Sequence, residues 1–93
     1  MKPTAKKAKK KAKTKPPVQI IRRKLGREGA DGLCTWDGKV HVDERLRGIA
    51  HLETVLHELL HNEFPYLTEE TITTASKNIA ITMYDDNWRR VEQ

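Results

Sequence analysis

Three residues of this chain sit at a spacing that does chemistry: His57, Glu58 and His61, in the run His57-Glu58-Leu59-Leu60-His61. On a helix, side chains four positions apart lie one above the other, so two imidazoles at this spacing can grip one metal ion. Zinc takes imidazole nitrogen readily. A glutamate directly after the first histidine points beside such a metal, where it can take a proton from a bound water. Glu58 is therefore the candidate general base. Two ligands do not complete the site. A catalytic zinc takes three protein ligands and keeps a fourth position open for water.

The third ligand is a carboxylate or an upstream histidine, because no histidine follows His61. The metzincin pattern, which needs Gly and His at the third and sixth positions after the second histidine, is excluded by Phe64 and Leu67. Pro65-Tyr66-Leu67 is a tight reversal that returns the chain toward the end of the histidine helix. Glu69 lies three residues before Ile72, on the apolar stripe of the following helix. Glu70 lies with Thr73, Thr74 and Lys77 on the polar side. Glu69 is the expected ligand and Glu70 the alternative, although either charge also suits any helix N-terminus. Tyr66, His51 and Tyr84 are the candidate donors to a developing oxyanion. Either His41 or His51, folding over the metal as a fourth ligand, would instead make the site structural.

The elements that must hold these residues are legible in outline. Ile49, Leu52, Val55, Leu56, Leu59 and Leu60 recur at helical spacing and predict a helix from about Arg47 to Phe64, ended by Pro65. Thr68 is an N-cap residue, and Glu69 and Glu70 suit a helix first turn. Ile72, Ala75, Ser76, Ile79, Ala80 and Met83 then form the buried stripe of a last helix. Upstream, Asp37-Gly38 separates two β-prone runs, Gly32 to Trp36 and Lys39 to Asp43, and predicts a hairpin with a type I′ turn. Val40 and Val42 point one way and His41 the other. The 39–43 strand is expected to offer an edge to an extended peptide, and Cys34 and Trp36 to pack in the core. Val18-Gln19-Ile20-Ile21 reads as a first strand or the start of a helix. The fold class is α+β: a small β-hairpin or sheet packed on the histidine helix and a C-terminal helix.

Charge divides the chain. Residues 1–27 carry twelve Lys or Arg and no Asp or Glu, whereas residues 28–93 carry six against thirteen. Residues 1–17, with eight lysines and no large apolar residue but Met1, cannot bury enough surface to offset their ordering entropy and predict a disordered basic arm. That leaves residues 18–93 for one small domain, a size at which an apolar core is marginal and a bound metal helps. Lysines of the arm can neutralise phosphates without reading sequence, so residues 2–15 are expected to meet nucleic acid non-specifically. A single cysteine, Cys34, excludes an internal disulfide. No apolar run reaches the roughly 18 residues of a spanning helix, and the arm lacks the apolar stretch of a secretory signal. Together these features predict a cytoplasmic protein without a membrane partner.

The run Thr54-Val55-Leu56-His57-Glu58-Leu59-Leu60-His61 resembles the active-site helix of zincin metallopeptidases. A glutamate in the next helix is similar to the gluzincin arrangement, and the size is similar to minigluzincins and short phage-type metallopeptidases. Val40-His41-Val42-Asp43 resembles the strand that leads into that helix. The resemblance spans about residues 32–83. It implies a minimal zincin-like metallopeptidase domain over 18–93, with His57 and His61 as zinc ligands and Glu58 as general base, acting on a peptide or protein substrate. The rival expectation is a non-catalytic, zinc-stabilised module that binds nucleic acid through its basic arm.

Overall fold

A computed structural model describes residues 17–91. The expected arm over 1–17 lies, apart from Pro17, outside the described residues. Three strands and two helices follow in the order β1 (Gln19–Arg23), β2 (Gly32–Cys34), β3 (Lys39–Asp43), α1 (Gly48–Glu63) and α2 (Glu69–Asp85). The class is α+β. No helix among the described residues is long and apolar enough to cross a membrane.

The Val18 to Ile21 run resolves as strand, in keeping with its β-branched content. β1 pairs parallel to β3, with Ile20 opposite Val40 and Arg22 opposite Val42. β2 pairs antiparallel to the other side of β3, with Gly32 opposite Val42 and Cys34 opposite Val40. The sheet order is β1-β3-β2. This overturns the expectation that residues 39–43 offer a free edge. β3 is the central strand and spends its backbone groups on both neighbours, so the edges belong to β1 and β2.

The hairpin forms where Asp37-Gly38 places it, but its turn differs from the one expected. A type I′ turn needs positive φ at both central residues. Gly38 has φ 80°, while Asp37 is not among the positive-φ residues. Gly38 N donates to Thr35 O at 3.0 Å, and Thr35 N donates to Lys39 O at 2.9 Å. The loop is thus three residues long, a hydrogen-bonded turn closed by a left-handed glycine. Thr35 Oγ1 bonds the Asp37 carboxylate and holds it in the turn. The extra loop residue puts Trp36 at the tip, 98% exposed, so it does not pack in the core as expected. Cys34 is half-buried, with Sγ 3.9 Å from Asn62 Oδ1 of α1.

The fully buried apolar side chains are Leu25, Val40, Val42, Ile72 and Ala80. Val40 and Val42 project from one face of β3, as the alternation requires. α1 packs on β2 and β3 with one side and on α2 with the other, so it forms the middle layer. Its residues from His51 to Asn62 are half-buried, and none is fully buried. Thr68 caps α2 by accepting from Thr71 N at 3.1 Å. Ile72, Ser76 and Ala80 are the buried positions of α2, spaced by four, with Ala75 and Met83 half-buried and Ile79 exposed.

Basic residues at the end of β1 act as clamps. Arg22 Nη2 donates to Glu44 O at 3.1 Å, and Arg23 Nε donates to His41 Nδ1 at 3.0 Å. Asp43 ends β3 with its side chain buried, taking Arg45 N at 2.9 Å and Arg45 Nη2 at 2.7 Å. The Arg45 side-chain and backbone hydrogen bonds hold the Asp43 carboxyl far below its usual range, against the opposing pull of burial.

Candidate metal centre

The site is built by α1 and the loop that reverses it. His57 and His61 lie one turn apart on α1, with their rings edge to face at a centroid distance of 4.8 Å. After Glu63 the helix stops at Phe64, whose N–H still donates to Leu60 O at 2.8 Å, and Pro65 prevents continuation. Leu67 N donates to Phe64 O at 3.0 Å and closes the reversal. Thr68 then starts α2, so that its first residue, Glu69, faces the last turn of α1.

Three side chains converge there. His61 Nε2 lies 2.8 Å from Glu69 Oε1, and His57 Nε2 lies 3.0 Å from Glu69 Oε2. The two Nε2 atoms are 3.2 Å apart. Among the described residues, His57, His61 and Glu69 form the group whose donor atoms could hold a metal ion. The donor set fits zinc chemically: two imidazole nitrogens and one carboxylate, as in catalytic zinc sites. The spacing fits as well. Ligands bound at about 2.0–2.1 Å to a tetrahedral centre stand about 3.3 Å from each other. Lone pairs that converge this closely need hydrogen atoms or a metal ion between them. His57 and His61 are half-buried, whereas the Glu69 side chain is 69% exposed, so the centre opens to solvent on the α2 side.

Glu58 lies beside this group. Its side chain is half-buried, and burial pushes its carboxyl above the usual carboxylate range, against the pull of His57 and His61 and with a further push from Glu69. For Glu69 the balance is opposite. Desolvation raises its carboxyl, but the hydrogen bonds and charge of His61 and His57 outweigh it and leave it below the usual value.

Glu70, the alternative ligand, is exposed and is not part of the cluster. Neither are the other two histidines. His41 is engaged by Arg23, and His51 lines a groove with Leu52 and Val55. Val55 and His57 are two positions, about 200°, apart around α1, so that groove belongs to another side of the helix. Tyr84 lines the same groove, with the Arg89 guanidinium 3.5 Å above its ring. Of the three candidate oxyanion donors, Tyr66 lies on the loop between His61 and Glu69, exposed and edge to face with Phe64. Glu53 pairs with Lys77 of α2 at 3.7 Å and has no part in the centre.

One residue of the site is invisible to motif reading. A Cβ on Gly32 would stand 2.7 Å from Thr54 Cγ2 and 3.0 Å from Glu58 Cγ. Only glycine lets β2 lie this close to α1, and the contact presses the strand against the Glu58 side chain. In the sequence Gly32 is only the first residue of a β-prone run, and nothing local marks its closeness to α1. Compared with models of protein families, with curated proteins and with solved structures, the chain matches none.

Proposed function

We propose that this chain is a zinc-dependent peptide hydrolase, with His57, His61 and Glu69 as metal ligands and Glu58 as general base. The observation that carries the reading is the convergence of three donor atoms from α1 and α2 beside a half-buried carboxylate. Zinc, when bound, supplies Lewis acidity and brings the pKa of a water down to about 7. Glu58 takes the proton of the attacking water and passes it to the leaving amine. Burial favours the first half of this role, since a carboxylate with a raised pKa is the stronger base toward the attacking water. Tyr66, on the loop between the ligands, is the donor candidate that remains, since His51 and Tyr84 line the separate groove.

A peptide substrate, rather than another amide, is favoured by β2. This strand is an edge, and Gly32 sets it against Glu58. An extended peptide added to it would bring its main chain to the base. The rival reading, a closed structural zinc site, needs a fourth protein ligand. His41 is engaged by Arg23, and His51 lies on the groove side of α1 outside the cluster, which supports the open arrangement. The basic residues 2–15 would add a salt-sensitive hold on nucleic acid. Retention on DNA-cellulose at low salt, lost on deletion of residues 1–15, tests that addition.

The test of hydrolysis is a time course with zinc-loaded protein and a mixture of unstructured peptides, read by mass spectrometry. The expected result is cleavage that needs zinc and that disappears in Glu58→Gln while zinc stays bound. Undiminished cleavage by Glu58→Gln would refute the role of the base, and no cleavage by the zinc-loaded wild-type chain would refute the reading as a whole.

A further inference from the structure

Away from the metal centre the structure carries a second concave surface, a groove of about 600 Å³. Its origin is architectural. α1 packs on β2 and β3, while neither helix packs closely on the inner face of β1. Ile20 of β1 floors the groove and Leu52 and Val55 of α1 wall it, while the chain after α2 brings Trp88 to its rim. Ile20 is 44% exposed and Trp88 60% exposed, so a large apolar surface stays open to water.

Four arginines, Arg22, Arg47, Arg89 and Arg90, surround this apolar surface. Among the described residues none of them has a carboxylate within 4.0 Å, whereas Arg23 and Arg45 elsewhere in the fold are each paired. Arg22 Nε is buried without a hydrogen-bond partner. Guanidinium groups gathered without counter-charge beside apolar side chains select an anion that is also apolar. β1 adds a third recognition element. It pairs with β3 on one side only, so its outer edge can take another strand. The lysine-rich residues 1–16 are the wrong occupant, because their charge has the same sign as the rim.

We infer that this groove binds an acidic, apolar segment of a partner protein, added as a strand to β1. Apolar side chains of that segment enter between Ile20, Leu52 and Val55, and carboxylates at flanking positions on the same strand face meet Arg22, Arg47, Arg89 and Arg90. The site is independent of the metal reading, since it shares no residue with His57, Glu58, His61 or Glu69.

The test is an NMR titration of the full-length, isotope-labelled chain with the blocked heptapeptide Glu-Ser-Val-Ser-Val-Ser-Glu, whose glutamates and valines share one strand face. The expected shifts fall on Ile20, Arg22 and the Trp88 indole. Arg90→Glu, at an exposed position outside the helices, is expected to weaken binding at least ten-fold with the rest of the spectrum unchanged. Arg22→Gln is expected to do the same from the other wall. Replacing glutamate by lysine, or valine by serine, in the peptide is expected to cost a similar factor. The inference is overturned by shifts confined to residues 1–16, by equal binding of the lysine peptide, or by unchanged affinity in both arginine variants. It is overturned too if a DNA duplex shifts the same groove resonances at lower concentration than the peptide. A dimer that occupies the groove without peptide and dissociates in Arg90→Glu would give the surface to a second copy of the chain instead.

Discussion

Glu58 and Glu69 are two carboxylates in one centre, pushed in opposite directions. Burial raises Glu58, while His61 and His57 overcome desolvation and lower Glu69. The contrast suits the different work proposed for them, Glu69 as the ligand facing the imidazoles and Glu58 as the base. Two predictions belong to this scale. Glu69→Ala should lose zinc under conditions where Glu70→Ala retains it, as measured by metal content after gel filtration. Glu58→Gln should retain zinc and lose about 10²–10⁴-fold in hydrolytic rate, the usual size of a general-base contribution. Loss of zinc from Glu70→Ala alone would move the site onto the other face of α2. The histidine pair and Glu69 were legible in sequence because their placement follows from local rules. Four-residue spacing aligns the imidazoles, Pro65 stops the helix, and Thr68 starts the next one with Glu69 on its inner side.

At the scale of elements, the corrected edge of β3 and the overlooked Gly32 have a common cause. Local alternation identified β3 but could not tell that β1, twenty residues upstream, pairs with its second side. Gly32 was passed over for the same reason. Its importance lies in the approach of β2 to α1, a contact between residues more than twenty positions apart. Gly32→Ala should therefore destabilise the fold by about 1–3 kcal/mol, the usual cost of overpacking. Thr54→Ser, which removes the Cγ2 atom in the closest contact, should restore part of the loss when combined with it. Chemical denaturation of the single and double variants checks both statements. Asp43 provides a pH prediction. Its folded pKa lies below the ordinary value of 3.8, so its contribution is present above that value and is lost as pH falls through the folded one. Asp43→Asn should lower the melting temperature at neutral pH and flatten its fall between about pH 5 and pH 2. An equally steep acid limb in the variant would show that Asp43 does not govern it.

Among the described residues five apolar side chains are fully buried, and the middle helix has none. Such a core is thin for a domain of this size, and the proposed metal between α1 and α2 would add what the core lacks. Zinc at about 100 times its dissociation constant should stabilise the fold by about 2.7 kcal/mol. For a domain this small that corresponds to a rise in melting temperature of about 10–20 °C. A thermal scan with and without zinc measures it, and His57→Ala should show no rise. The charge division between basic arm and acidic remainder was plain in the composition. The arginine-rimmed groove was not, because Arg22, Arg47, Arg89 and Arg90 are scattered over the chain and only the fold collects them.

The central claim is that His57, His61 and Glu69 hold one zinc ion. The most direct measurement is metal content by mass spectrometry on the purified chain, reconstituted with zinc and desalted, alongside His57→Ala and Glu69→Ala. The account predicts one zinc per wild-type chain and none in either variant. A wild-type chain that leaves the column without zinc, or a His57→Ala variant that keeps it, would contradict the account.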